Sequence, residues 1–142
     1  MVCIDRQIRN IKAEYPTAHI VQEAYTGTSI FRPEWLKFYR VLRAGDVVVF
    51  DSVSRMSRNA EEGFALYEDL YHKDIRLVFL KEHHIDTETY RKALFGSIAI
   101  TGTNVDFILK GINEYLMALA KEQIKLAFEQ SEKEVAATPA NP

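Results

Sequence analysis

Cysteine is almost absent: Cys3 is the only one in 142 residues, so no internal disulfide can form and the chain reads as cytoplasmic, where thiols stay reduced. No apolar run approaches the roughly eighteen residues of a membrane helix, and the opening residues carry no secretory signal pattern. A basic surplus is missing as well. Eighteen Lys and Arg stand against twenty Asp and Glu, a formal charge of −2. That excludes the uniformly basic character of a protein that coats nucleic acid non-specifically, while leaving room for a local basic site. Internal repeats and low-complexity segments are lacking too. What remains is an ordinary globular composition, 47% hydrophobic and 27% charged, at the length of one domain. A chain of this size buries about two-thirds of its unfolded surface, enough for a core without staples.

Residues 4–14 place Ile4, Ile8 and Ile11 at helical spacing among charged neighbours, and Pro16 closes that helix by disfavouring helical geometry in the residue before it. Residues 19–24 are short and β-favouring and predict a strand; residues 25–31, with Gly27 among hydroxyl side chains, predict a loop. Pro33 suits the first position of a second helix, running to about Arg43 and ended by Gly45. Its inward face is either Leu36, Tyr39 and Leu42 or Trp35 and Phe38. The run DVVVFD at 46–51 is the strongest strand, and its unbroken apolar character predicts burial on both faces. Asn59, with Glu62 three residues on, marks a helix start of capping-box type, and that helix turns Ala60, Phe64, Tyr67, Leu70 and Tyr71 inward. Residues 75–80 predict another strand. Between 81 and 103 the pattern is weak, with a helix over about 90–100 that Gly96 weakens.

From Asn104 to about Val135 a long helix carries an apolar stripe of Val105, Ile108, Ile112, Leu116 and Leu119, extended by Leu126, Ala127 and Gln130. About thirty residues at roughly 1.5 Å each make a rod near 45 Å, longer than so small a domain covers. Part of it should project or meet a partner, and the stripe is either a packing face or a dimer seam. Alternating helices and strands predict an α/β fold: a doubly wound, mostly parallel sheet with flanking helices, plus the long C-terminal helix. The expected units are a core over 1–103, the helix over 104–135 and a flexible tail over 136–142.

In such sheets chemistry gathers beyond the carboxyl ends of the strands, here residues 25–32, 51–58 and 81–87. Between Arg32 and Arg58 stand Lys37, Arg40, Arg43 and Arg55 as further cations, against Glu34, Asp46 and Asp51, a local basic surplus inside an acidic protein. Arg55 and Arg58 precede one helix and Arg32 another. Guanidinium groups beside helix N-termini form a seat for phosphate; the plainer alternative is that they face water and pair with nearby carboxylates. Asp51 and Lys81, at successive strand ends, weakly resemble a phospho-accepting receiver domain, but the acidic pair such a domain needs is missing. His83 and His84 lack further ligands at metal-binding spacing, so no metal site is expected.

Five blocks in order, YTGTS (25–29), RPEWL (32–36), LRAGDVVVF (42–50), SRMSRN (54–59) and LKEHHIDT (80–87), resemble the catalytic domain of the serine recombinases, the resolvase and invertase family. IDRQIR (4–9) resembles the start of the family's first helix, and the long last helix resembles its dimerisation and DNA-tracking helix. The resemblance implies site-specific DNA recombination. A serine hydroxyl attacks a DNA phosphodiester to form a phosphoserine link, arginines cradle the scissile phosphate, and dimers joined as a synaptic tetramer exchange strands without metal or cofactor. Carried over by position, Arg32, Arg55 and Arg58 are the catalytic residues, and Gln7 and Glu23 are supporting DNA- or phosphate-binding positions. Val105, Ile108, Ile112, Leu116 and Leu119 then belong to the dimer helix. The family's first strand and nucleophilic serine find no counterpart in residues 1–3, nor do a basic continuation and helix-turn-helix DNA reader after residue 135. The expectation is a recombinase domain short at both ends, from a DNA-recombining or transposon-associated parent. Its alternative is a non-catalytic remnant that pairs and holds DNA phosphate. Loss of the first strand would leave two neighbours with unpaired edges.

Overall fold

The computed structural model describes residues 4–22, 32–102 and 105–137. The elements run α1 (Ile4–Glu14), α2 (Pro33–Val41), β1 (Val47–Phe50), α3 (Ala60–His72), β2 (Arg76–Phe79), α4 (Thr87–Thr101) and α5 (Asp106–Ala137). Short 3-10 turns at Val53–Arg55 and His83–Ile85 follow the two strands. The strands pair in parallel, Val47 opposite Arg76 and Phe50 opposite Phe79, with α3 in the crossover between them. The result is a mixed α/β fold: a small parallel sheet, flanking helices and a long C-terminal helix.

Local chemistry sets the crossover. The Asn59 side-chain oxygen accepts from the Glu62 backbone N–H at 2.9 Å, the cap its sequence position predicts. After α3 the chain turns through Asp74 at φ 59°, and before β1 it turns through Gly45 at φ 94°. The Gly45 N–H donates to the Asp74 carbonyl at 2.9 Å, so the two turns that launch the strands hold one another. Tyr67, Leu70 and Tyr71 of α3 meet Leu77 and Phe79 of β2, and Val53 and Met56 of the turn after β1. Leu116, Met117, Ala120, Ile124 and Phe128 of α5 complete this core. Tyr67 stacks on Phe79 at 6.2 Å between ring centres, and its buried hydroxyl donates to the Ile85 carbonyl at 2.7 Å.

The outer edge of β2 is closed by side chains. The Leu77 N–H donates to Thr87 Oγ1 at 2.9 Å and the Phe79 N–H to Asp86 Oδ1 at 2.7 Å. These are the two donors that a further strand would take, and the half-buried Asp86 and buried Thr87, where α4 begins, take them instead. The outer edge of β1 has no strand beside it among the described residues.

Four expectations change. Residues 19–22 form no strand among the described residues, and the remainder of 19–24 lies outside them. A β-favouring run becomes a strand only where a neighbour offers a ladder, and among the described residues β1 makes its ladder with β2 alone. Nor is β1 buried on both faces: Val48 is buried, Val49 and Phe50 are half-buried and Val47 is exposed, because α2 lies over the sheet without a buried residue of its own. Trp35, Phe38, Tyr39 and Leu42 together face the core from α2 and its end, while Leu36 is exposed, so the two alternative inward faces merge into one. The stripe on α5 divides. Leu116 is in the core and Ile112 packs against it, Ile108 is half-buried, and Val105 and Leu119 are exposed. The buried face turns further round the helix, through Met117, Ala120, Ile124 and Phe128.

Candidate anion site at the carboxyl rim of the sheet

Parallel strands deliver their carboxyl ends to one rim. β1 runs into Asp51 and Ser52, both buried, then into the turn Val53–Arg55; β2 runs into Lys81 and Glu82. The Asp51 carboxylate is a hub. Asn10 of α1 donates to its Oδ1 at 3.0 Å, and Lys81 Nζ lies 3.5 Å from its Oδ2. A second link joins α1 to the rim: His83 Nε2 lies 3.8 Å from Glu14, while its Nδ1 is 2.8 Å from Asp86 Oδ2. The Asp86 hydrogen bond holds the His83 ring's proton affinity above its ordinary value; burial opposes it, and the charges of Asp86 and Glu14 add lesser increments.

Arg32 comes to the turn after β1 from the start of α2, and Arg55 and Arg58 stand on that turn and just past it. Arg32, at the start of α2, lies over the Trp35 ring, and its Nη1 donates to the Met56 carbonyl at 3.2 Å. Its Nε is buried and has no acceptor among the described residues. Arg58 donates to Glu62 at 2.9 Å. That hydrogen bond, with the charge of Arg58 and then that of Arg32, holds the Glu62 carboxyl below its usual range, so both guanidinium groups act on one carboxylate. Arg55 sits on the turn between them; its side chain is exposed, without a hydrogen bond or ion pair among the described residues. Gln7 is half-buried on α1 one turn before Asn10, and its side chain makes no hydrogen bond among the described residues. Glu23 lies outside the described residues, as does Cys3.

The turn itself is held from β2. Glu82 Oε1 accepts from the Val53 N–H at 3.0 Å. Burial raises the Glu82 carboxyl above its usual range, while the Val53 N–H and the neighbouring His84 and Lys81 pull it back. Asn10, Asp51 and Glu82 are the anchoring residues that sequence reasoning missed. Their one local signal is a polar side chain just past the end of an apolar strand, which Asp51 and Glu82 share and Asn10 lacks. No three His, Cys, Asp or Glu side chains among the described residues are grouped to hold a metal ion.

Fold and rim together define a class, the α/β domains that gather charged side chains at the carboxyl ends of parallel strands. Within that class, the family described as Resolvase, N terminal domain, matches residues 3–134, and the chain belongs to it. It is a serine recombinase catalytic domain, of a family that acts in DNA recombination on DNA substrates and through oligomeric assembly. No curated protein matches the chain. No helix among the described residues is long and apolar enough to cross a membrane.

Proposed function

We propose that the rim of this chain seats a DNA phosphodiester among Arg32, Arg55 and Arg58 during site-specific strand exchange. The observation that carries this reading is the Arg32 Nε, a buried donor with no acceptor among the described residues. An unpaired buried donor costs about 1–3 kcal/mol, and a phosphate oxygen would relieve that cost. The Arg58–Glu62 pair is exposed and four residues apart on the chain. Such pairs are worth roughly 0.2–1 kcal/mol, so a phosphate can draw Arg58 away. Arg55 already stands in solvent. Three guanidinium groups would balance the charge that grows on the phosphoryl oxygens as the bond to the leaving group lengthens. Gln7 and Glu23 would support the seat from beside it.

α5 would pair two copies, and two such pairs would form the tetramer of a synaptic complex. Ile108 and Leu119 share one helical face with Tyr115 and Leu126, and of these Tyr115, Leu119 and Leu126 are exposed. Val105 lies toward the same side, whereas Ile112 and Leu116 serve the core. Sequence specificity would come from a DNA-reading segment other than this domain.

A second reading has its own support. Ser52 and Ser54 face each other at 3.2 Å, and Ser57 donates to the Asn59 carbonyl at 2.8 Å, so these hydroxyls are engaged within the rim. The chain would then hold phosphate and pair with itself without forming the phosphoserine link. One experiment addresses both readings: incubation with a nicked suicide duplex, followed by a denaturing gel, together with binding of the intact duplex at rising salt. No covalent adduct and a steep loss of binding with salt are expected. An adduct would identify a nucleophile and favour full catalysis, and salt-insensitive binding would remove the phosphate seat.

A further inference from the structure

Val53 is fully buried and opens the turn that carries Arg55. Opening a turn leaves its N–H without a partner in the turn itself. The strand ladder cannot supply one, because its last rung joins the Lys81 N–H to the Asp51 carbonyl at 3.1 Å. The partner comes from a side chain 29 residues away, the half-buried Glu82 carboxylate. At the far end of the same turn, the Met56 carbonyl is taken by Arg32 at 3.2 Å. Inside, the Arg55 N–H donates to the Ser52 carbonyl and the Met56 N–H to the Val53 carbonyl. The backbone from Val53 to Met56 is therefore gripped at both ends, and the Arg55 side chain hangs from it into solvent.

A carboxylate beside a site for an anion is unfavourable by charge alone. Its presence at this rim calls for a compensating role, and the Val53 hydrogen bond supplies one. We infer that Glu82 is a positioning residue: it fixes the Val53–Arg55 turn so that Arg55 meets the same phosphate as Arg32 and Arg58. This rests on the phosphate-seat reading given above.

The sign of the effect makes the inference testable. Removing a negative charge near bound DNA should tighten binding if Glu82 acts through charge; removing the clamp should weaken it. Binding of a short mixed-sequence duplex to the full chain, followed by fluorescence anisotropy over a salt series, reads the difference. Glu82→Ala should weaken binding about tenfold and flatten the salt slope by about one, as Arg55→Ala does. In an Arg55→Ala background, Glu82→Ala should change nothing further, since the two act in series. Glu82→Gln, whose amide oxygen still accepts from Val53, should bind as well as the parent or better. Where Glu82→Ala fails to fold, Glu82→Asp, one methylene short of Val53, takes its place with the same coupling expected.

Tighter or unchanged binding by Glu82→Ala while Arg55→Ala binds weakly would overturn the inference. So would an equal loss in both backgrounds, or a Gln variant as weak as the Ala variant. An Arg55→Ala and an Arg58→Ala that both bind like the parent would instead remove the phosphate seat itself, and the positioning role with it.

Discussion

The two sides of the sheet are built to different standards. On the β2 side, Ile75, Leu77, Val78 and Phe79 are all buried, α3 and α4 pack against the strand, and its outer donors are taken by Thr87 and Asp86. On the β1 side Val48 alone of the strand is buried. α2 contributes no buried residue, and α1 is held by Asn10 on Asp51 and Glu14 on His83. Burial is where stability comes from, at about 25 cal/mol for each Å² of apolar surface removed from water. The difference teaches that stability and chemistry are divided in this chain. The β2 side is the platform, and the arginines stand on its margin, where one wall of the site belongs to the lightly packed half.

The largest effect that would break this contrast is at Phe79. Phe79→Ala removes a fully buried ring stacked between Phe50 and Tyr67 and should cost about 3–5 kcal/mol, read from the urea midpoint. Val47→Ala, on the exposed start of β1, should cost about 0.5 kcal/mol or less. Similar losses at the two positions would show that the sides are equally loaded. Thr87→Val sharpens the contrast at the sealed edge. It keeps the shape of the side chain but orphans the buried Leu77 N–H, so a loss of about 1–3 kcal/mol is expected, and a neutral result would mean that the edge is not closed by this hydroxyl.

The smallest effect concerns the tether of α1. His83 holds its proton more tightly in the folded chain than its ordinary value of 6.5. Its contribution is therefore complete below that value and disappears as pH rises through the higher folded one. Amide protection across α1 should exceed that of a His83→Ala variant at acidic pH and converge with it at alkaline pH. Equal protection at every pH would show that Asn10 holds the helix unaided.

What the sequence made legible was whatever is decided within a few residues. Asn59 caps α3 because its side chain reaches an N–H three positions on, within the span a local reading covers. The strands at 46–51 and 75–80 were legible from apolar character, and the order of the five blocks was enough to place the chain in its family. Burial was less legible. The apolar run of β1 says that it can be covered and nothing about what covers it, and α2 proves to be a thin cover. On α5 the buried face includes Ala120 and Met117 while Leu119 and Tyr115 look outward, so hydrophobic character alone misplaces the stripe by part of a turn. The anchors of the rim were hidden for a further reason. Asn10 reaches Asp51 across 41 residues and Glu82 reaches Val53 across 29, and such pairings exist only once α1 has docked at the end of β1 and the crossover has brought the strands side by side.

α2 begins at the carboxyl rim of the sheet and ends away from it. Arg32 stands at its first turn, while Tyr39, seven residues on, bonds Asp69 of α3 and accepts from Lys73 at 2.9 Å, with the Lys73 ammonium over its ring. Seven residues of helix span about 10 Å. The helix is thus pinned at both ends, by Tyr39 on α3 and by Arg32 on the Met56 carbonyl of the turn after β1. The tyrosine's fastening on α3 therefore helps to fix where Arg32 stands, from a point away from the rim itself.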